Sequence, residues 1–244
     1  MAYRENPKTK GSEIICCIPQ SGKCPIGCRG CFFNSAGSYL DPVSENLPNM
    51  PTLREVGRRI VRVNDGHDSN YQYRKVIDET KQYPRKFYNT SIPHLYFPAP
   101  VVLTINPGGD TDRKWEKIED PPKNLMAVRF RANLWNVPML REAIDHYGSR
   151  KVPILITVMT YGDVSDINES FESFYDYKKH VLNSYYCLSR VGLDLLWGCV
   201  VPDPPLSDYV DLCGNAELWG EKYSCADCRN CEKLYWKAIG GIRE

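Results

Sequence analysis

A chain of 244 residues can bury a substantial core, and an α/β barrel type of this length stays one main domain with a small attachment. Lys and Arg number 31 against 30 Asp and Glu, so the net charge of +1 offers no field to draw in nucleic acid or an anionic membrane. The opening MAYRENPKTKGSE has no apolar signal core and no apolar run approaches the ~20 residues of a bilayer span, so the expectation is a soluble, cytoplasmic protein with no membrane partner.

In chain order, a polar segment 1–12 leads into EIICCIP from Glu13, a short apolar strand that runs into the glycine-bearing loop QSGKCPIGCRGCFF. Thr52 to Asp65 places Leu53, Val56, Ile60 and Val63 on one helical face, with Thr52 and Glu55 as a capping box; Arg54, Arg58, Arg59 and Arg62 fall on its remaining surface. Ser69 to Gln82 is a second candidate helix, and Lys86 to Ile92 a short strand. The compact apolar runs from Val101, Leu125, Val152 and Leu193 read as buried parallel strands. Between them, Asn136 to Tyr147 reads as a helix stopped by Gly148. Asp166 to Val191 reads as another, carrying Phe171, Phe174, Val181, Tyr185 and Leu188 and ending at Gly192. Strand and helix alternation of this kind predicts right-handed βαβ units in a partial parallel (β/α)6-type barrel over 13–201. PDPPLSDYVDLCG then opens a small cysteine-rich extension over 202–244.

Eleven cysteines in a chain without secretory features point to metal ligation rather than disulfides. Cys24, Cys28 and Cys31 are spaced CxxxCxxC, with Pro25, Gly27 and Gly30 letting the backbone curl so that three soft thiolates converge. A structural zinc site wants four protein ligands, and the four histidines, His67, His94, His146 and His180, are all remote in sequence. Either three ligands hold an iron-sulfur cluster with one position open, or a distant ligand completes a zinc site.

CPIGCRGC, in a loop after the first strand of an apparent partial barrel, resembles the cluster motif of the radical S-adenosylmethionine superfamily. That resemblance implies a [4Fe-4S] cluster on Cys24, Cys28 and Cys31, whose fourth iron is chelated by the amino and carboxylate groups of S-adenosylmethionine. It further implies reductive cleavage of that cofactor to a 5'-deoxyadenosyl radical that abstracts hydrogen from a substrate. The family often has an aromatic residue just before the third cysteine; Gly30 stands there, and Phe32 or Phe33 takes its role from the other side of Cys31.

VVLTINPGGD ends a strand with Gly108, Gly109 and Asp110, which resemble the superfamily's GGE contact to the methionine amino group; PGGD is also an ordinary turn. In VRFRAN, Arg129, Arg131 and Asn133 near a strand end are candidates for a carboxylate or ribose; alternation puts Arg129 and Arg131 on the same face, where one of them is equally read as surface charge. Thr157 and Thr160 are weaker candidates, since threonine is common in strands.

Cys213, Cys225, Cys228 and Cys231 form a four-thiolate set whose CxxCxxC run resembles bacterial ferredoxin spacing. They suit a second [4Fe-4S] cluster or a structural zinc. Auxiliary clusters near the C terminus occur in peptide-modifying members of the superfamily, so a peptide is one substrate the resemblance allows. It also implies an external electron donor such as a flavodoxin or ferredoxin. Cys16, Cys17, Cys187 and Cys199 read as small buried hydrophobes, with Cys16 and Cys17 on opposite strand faces. The competing readings are a noncatalytic iron-sulfur carrier or sensor and a zinc-stapled binding protein.

Overall fold

A computed structural model describes residues 2–28, 31, 33, 38–107, 115–179, 184–200, 206–213 and 224–240. Its frame is a curled sheet of seven parallel strands, forming a half-barrel. They are β1 (Ile14–Cys17), β2 (Ile60–Val63), β3 (Lys86–Thr90), β4 (Val101–Ile105), β5 (Leu125–Ala132), β6 (Ile154–Val158) and, after an antiparallel hairpin β7 (Tyr175–Lys179) and β8 (Ser184–Leu188), β9 (Val210–Leu212). The order is β1-β2-β3-β4-β5-β6-β9. The expected partial parallel barrel is present, and the cysteine-rich extension supplies its seventh strand.

Helices α1 (Val43–Asn46), α2 (Leu53–Val56), α3 (Tyr73–Thr80), α4 (Val137–Gly148), α5 (Arg190–Val200), α6 (Cys225–Cys228) and α7 (Asn230–Ala238) complete the chain order. Val76 of α3, Leu140 and Ile144 of α4 and Leu193 and Leu196 of α5 join one continuous core with Val61, Val63, Leu103, Phe130 and Ile156 on the outer face of the sheet. The inner face is different. Ile14, Ile60, Phe87, Val102 and Met126 form an apolar floor there, and Tyr235 of α7 packs onto it with Leu234 and Trp236.

Three expectations are corrected. The helix expected over Thr52 to Asp65 is a single turn followed by β2. Its capping box forms as expected, but Gly57 adopts φ 56 and closes the turn, and the β-branched Ile60–Val63 run pairs with β1. Leu53, expected inside, is 54% exposed. The helix expected over Asp166 to Val191 is two short 3-10 turns and the β7–β8 hairpin, in which Tyr175 opposes Leu188 and Tyr177 opposes Tyr186. Aromatic cross-strand pairing wins over a helical spacing that is coincidental here; Val181 lies outside the described residues. The apolar run from Leu193, expected as a strand, is the body of α5. Leu193, Leu196 and Val200 face the core at helical spacing, while Leu195 is exposed.

Candidate functional site

Cys24, Cys28 and Cys31 lie in the loop between β1 and α1, beyond the C-terminal end of β1. The backbone N–H of Cys31 donates to the carbonyl of Cys28 at 3.1 Å, and Gly27 takes φ 63, a left-handed conformation that suits glycine. Burial pushes the Cys24 thiol up, with smaller contributions in the same direction from Asp68, Cys28 and Cys31. The three thiols thus share one electrostatic neighbourhood. Beneath them, Phe33 lies so close over Gly66 that a Cβ at Gly66 would collide with its ring. The cysteine loop is seated on the turn after β2.

That turn begins at Asn64, in the left-handed region at φ 65. Gln20 clamps it: its Nε2 donates to the carbonyls of Asp68 and Tyr71, both at 2.9 Å. Asn89 of β3 donates from Nδ2 to the carbonyl of Asn64 at 3.1 Å. Both amide groups donate to backbone carbonyls, and Gln20 Oε1 and Asn89 Oδ1 are buried with no partner among the described residues. Asn64 Oδ1, Asn106 Oδ1 after β4 and Thr157 Oγ1 on β6 are in the same condition. His67 accepts the Asp68 N–H on Nδ1 at 3.0 Å, and burial lowers its pKa, so the neutral ring carries its proton on Nε2, an atom buried without a partner. Unpaired buried polar atoms cost about 1–3 kcal/mol each, and a concentration of them at the strand ends is the mark of a place built to meet a ligand.

Apart from Thr157, these residues were not among the site candidates read from the motifs. The signal was the turn-rich NDGHDSN directly after a β-branched run, obscured by reading Ile60–Val63 as helix.

Of the cofactor candidates, Phe32, Gly108, Gly109 and Asp110 lie outside the described residues, as does Gly30. Arg129 and Arg131 share the inner face of β5, as their spacing predicted, and Arg131 is the register partner of Thr157 on β6. Burial depresses the Arg131 guanidinium, while Cys31 and Cys28 pull it back up. Asn133 is fully buried in a capping role. Its Oδ1 accepts from the Asn136 N–H at 2.8 Å, its own N–H donates to Asn136 Oδ1 at 2.9 Å, and its Nδ2 donates to Tyr161 OH at 3.1 Å. Thr160 lies just past β6 and is partly exposed.

The second cysteine set lies deeper on the same inner face. The N–H of Cys213 donates to the carbonyl of Ile156 at 2.7 Å, continuing the β9 pairing beside β6. Cys225 and Cys228 bound α6, and Cys231 sits on the first turn of α7, with Arg129 Nη2 4.0 Å from its sulfur. Burial raises the Cys231 thiol against the pull of Arg129, and Cys213, Arg62 and Cys225 act on it as well. Arg62, expected on a helix surface, is instead on the inner face of β2. Its side chain is 13% exposed, with Nη2 3.1 Å from Cys16 Sγ and 3.6 Å from Asp65 Oδ2. Cys17 faces the outer core, so the two consecutive cysteines do divide between the faces.

Among the described residues, no three His, Cys, Asp or Glu side chains close around a common point as a metal-holding group. Arg129 and Arg131 are half-buried, and Arg129 Nη2 lies 4.0 Å from Cys231 Sγ. No described helix is long and apolar enough to cross a membrane. No family model, curated protein or solved structure matches the chain.

Proposed function

We propose that this is a radical S-adenosylmethionine enzyme, with a [4Fe-4S] cluster on Cys24, Cys28 and Cys31 and a second metal centre, iron-sulfur or zinc, on Cys213, Cys225, Cys228 and Cys231. The observation that carries the reading is the position of Cys24, Cys28 and Cys31, in a loop past the C-terminal end of β1 in a sheet of parallel strands curled into a half-barrel. Ligand sites of parallel α/β folds gather at this end of the strands. A bound cluster of this kind supplies the electron that breaks the sulfonium carbon–sulfur bond.

The chain's own residues bind and screen. Arg131 offers a cation to the cofactor carboxylate, while Gln20 Oε1 and Asn89 Oδ1 offer acceptors to donor groups of the cofactor or substrate. Phe33 and Leu40, packed with Ile18 and Val43, cover the cysteine loop and keep water from its underside. An external flavodoxin or ferredoxin would deliver the electron, and a peptide is the substrate class to try first.

Anaerobic purification, iron and sulfide analysis, and electron paramagnetic resonance of the reduced protein with and without S-adenosylmethionine test the reading. The expected result is a signal that changes with the cofactor and release of 5'-deoxyadenosine. An iron-sulfur signal indifferent to the cofactor, with no 5'-deoxyadenosine, would make the protein a carrier or sensor; zinc without sulfide would make it a zinc-stapled binding protein.

A further inference from the structure

Three carboxamides meet a single turn. The chain from Asn64 to Tyr71, between β2 and α3, receives Gln20 from the loop after β1 and Asn89 from β3, and begins with Asn64 itself. All three side chains are out of water, Gln20 being 0%, Asn64 2% and Asn89 4% exposed. Asn64 and Asn89 are neighbours across the sheet, one step beyond the register pair of Val63 and Tyr88. Tyr88 faces the outer core, so Asn89 alternates onto the inner face.

Each carboxamide uses its nitrogen on the turn. Gln20 Nε2 donates to the carbonyls of Asp68 and Tyr71, Asn89 Nδ2 to the carbonyl of Asn64, and Asn64 Nδ2 to Ser69 Oγ at 3.1 Å. Turning over the amide of Gln20 or Asn89 would set its oxygen against carbonyl oxygens, so in both the oxygen is the atom left over. Gln20 Oε1, Asn64 Oδ1 and Asn89 Oδ1 have no partner among the described residues. An amide oxygen is two bonds from its nitrogen, so all three lie beside the same turn.

The charges of the turn set the sign of the group these oxygens suit. Asp65 has Arg62 at 3.6 Å. Asp68 is buried, and its carboxylate accepts from the Asn70 N–H at 2.9 Å, Thr90 Oγ1 at 2.8 Å, the Ser91 N–H at 2.6 Å and Ser91 Oγ at 2.9 Å. No cation pairs with Asp68 among the described residues, and burial lowers the pKa of His67, so that ring brings no positive charge. Three acceptors in the field of a carboxylate suit a cation that only donates, and a primary ammonium offers three N–H donors and no acceptor.

We propose that Gln20, Asn64 and Asn89 form a subsite for a primary ammonium group of the substrate, in the field of the Asp68 carboxylate. The subsite deepens the functional reading and rests on it for the amine's role as substrate, whereas binding of the amine needs neither a cluster nor S-adenosylmethionine.

The probe is methylammonium chloride, titrated into the full chain at constant chloride with tetramethylammonium chloride, which has no N–H, as the balance. The midpoint of thermal unfolding reports binding. Saturable stabilisation by methylammonium over tetramethylammonium is expected. Asn89→Leu and Gln20→Met, which lack the acceptor, should each weaken binding about tenfold or more, the scale of a charge-assisted hydrogen bond. Asn89→Asp and Gln20→Glu lose the same bonds to the turn but keep an acceptor, so they should bind methylammonium as tightly as the parent or more tightly. Circular dichroism checks that each variant is folded, and the two positions give independent readings. No stabilisation of the parent beyond tetramethylammonium would overturn the proposal. Equal weakening in the acidic and apolar variants would also overturn it, marking the carboxamides as clamps of the turn alone. Stabilisation by potassium chloride and not by methylammonium would make this an inorganic cation site and overturn the assignment to an amine. A protein that binds methylammonium as expected but makes no 5'-deoxyadenosine would count against the functional reading alone.

Discussion

Ile156 and Thr157 are consecutive residues of β6, yet they live in different solvents. Ile156 enters the outer core together with side chains of α4 and α5. Thr157 turns to the inner face, where its hydroxyl is buried unpaired beside Arg131. The same division runs along β2, where Val61 and Val63 face outward and Arg62 inward, and along β5, where Phe130 faces outward between Arg129 and Arg131. The outer face is covered by packed helices; the inner one carries, at Asn89 and Thr157, buried oxygens with no hydrogen-bond partner among the described residues. Stability is concentrated on the outer face, and chemistry is available only on the inner one.

Substitutions on β6 are the most direct way to break this contrast. Ile156→Ala should lower unfolding free energy by about 2–5 kcal/mol, the cost of a cavity in a packed core, measured by denaturant titration. A loss under about 1 kcal/mol would mean the outer face is not the close-packed one. Thr157→Val keeps the shape and removes an unpaired hydroxyl, so it should raise stability by about 1 kcal/mol in the protein without ligand. A clear destabilisation would show that the hydroxyl already has a partner. Thr52→Ala sharpens the scale from a place on neither face. It deletes the α2 capping box, in which the Glu55 N–H donates to Thr52 Oγ1 at 3.2 Å, and should cost about 1 kcal/mol at most.

The outer face was also the more legible one. β4, β5 and β6 announced themselves as unbroken apolar runs because parallel strands covered by helices carry little alternation, and α4 was bounded by Gly148. Ambiguity entered where short apolar segments fit both periods: Ile60–Val63 fits the face of a helix until Gly57 interrupts it, and Leu193–Val200 fits a strand until its exposed Leu195 is seen. The aromatic stretch from Phe171 to Leu188 fits a helix in spacing but pairs across a hairpin.

In the site, the thiol sets and the shared face of Arg129 and Arg131 could be read directly from spacing. Arg62 could not, because its placement followed from a helix that the chain does not form. The unpaired Gln20 and Asn89 oxygens could not be read either, since only the fold determines that their amide groups are occupied by backbone carbonyls.

The docking of α7 against the inner floor carries a consequence for how such a molecule is made. Ile14, Ile60, Phe87 and Val102 belong to strands that leave a ribosome before α7, whose Tyr235 packs onto them. Until α7 is made, that apolar floor lacks the cover it has in the folded chain. The helix that closes it also carries Cys231, so the last step of burial and the delivery of a sulfur to the interior are one event.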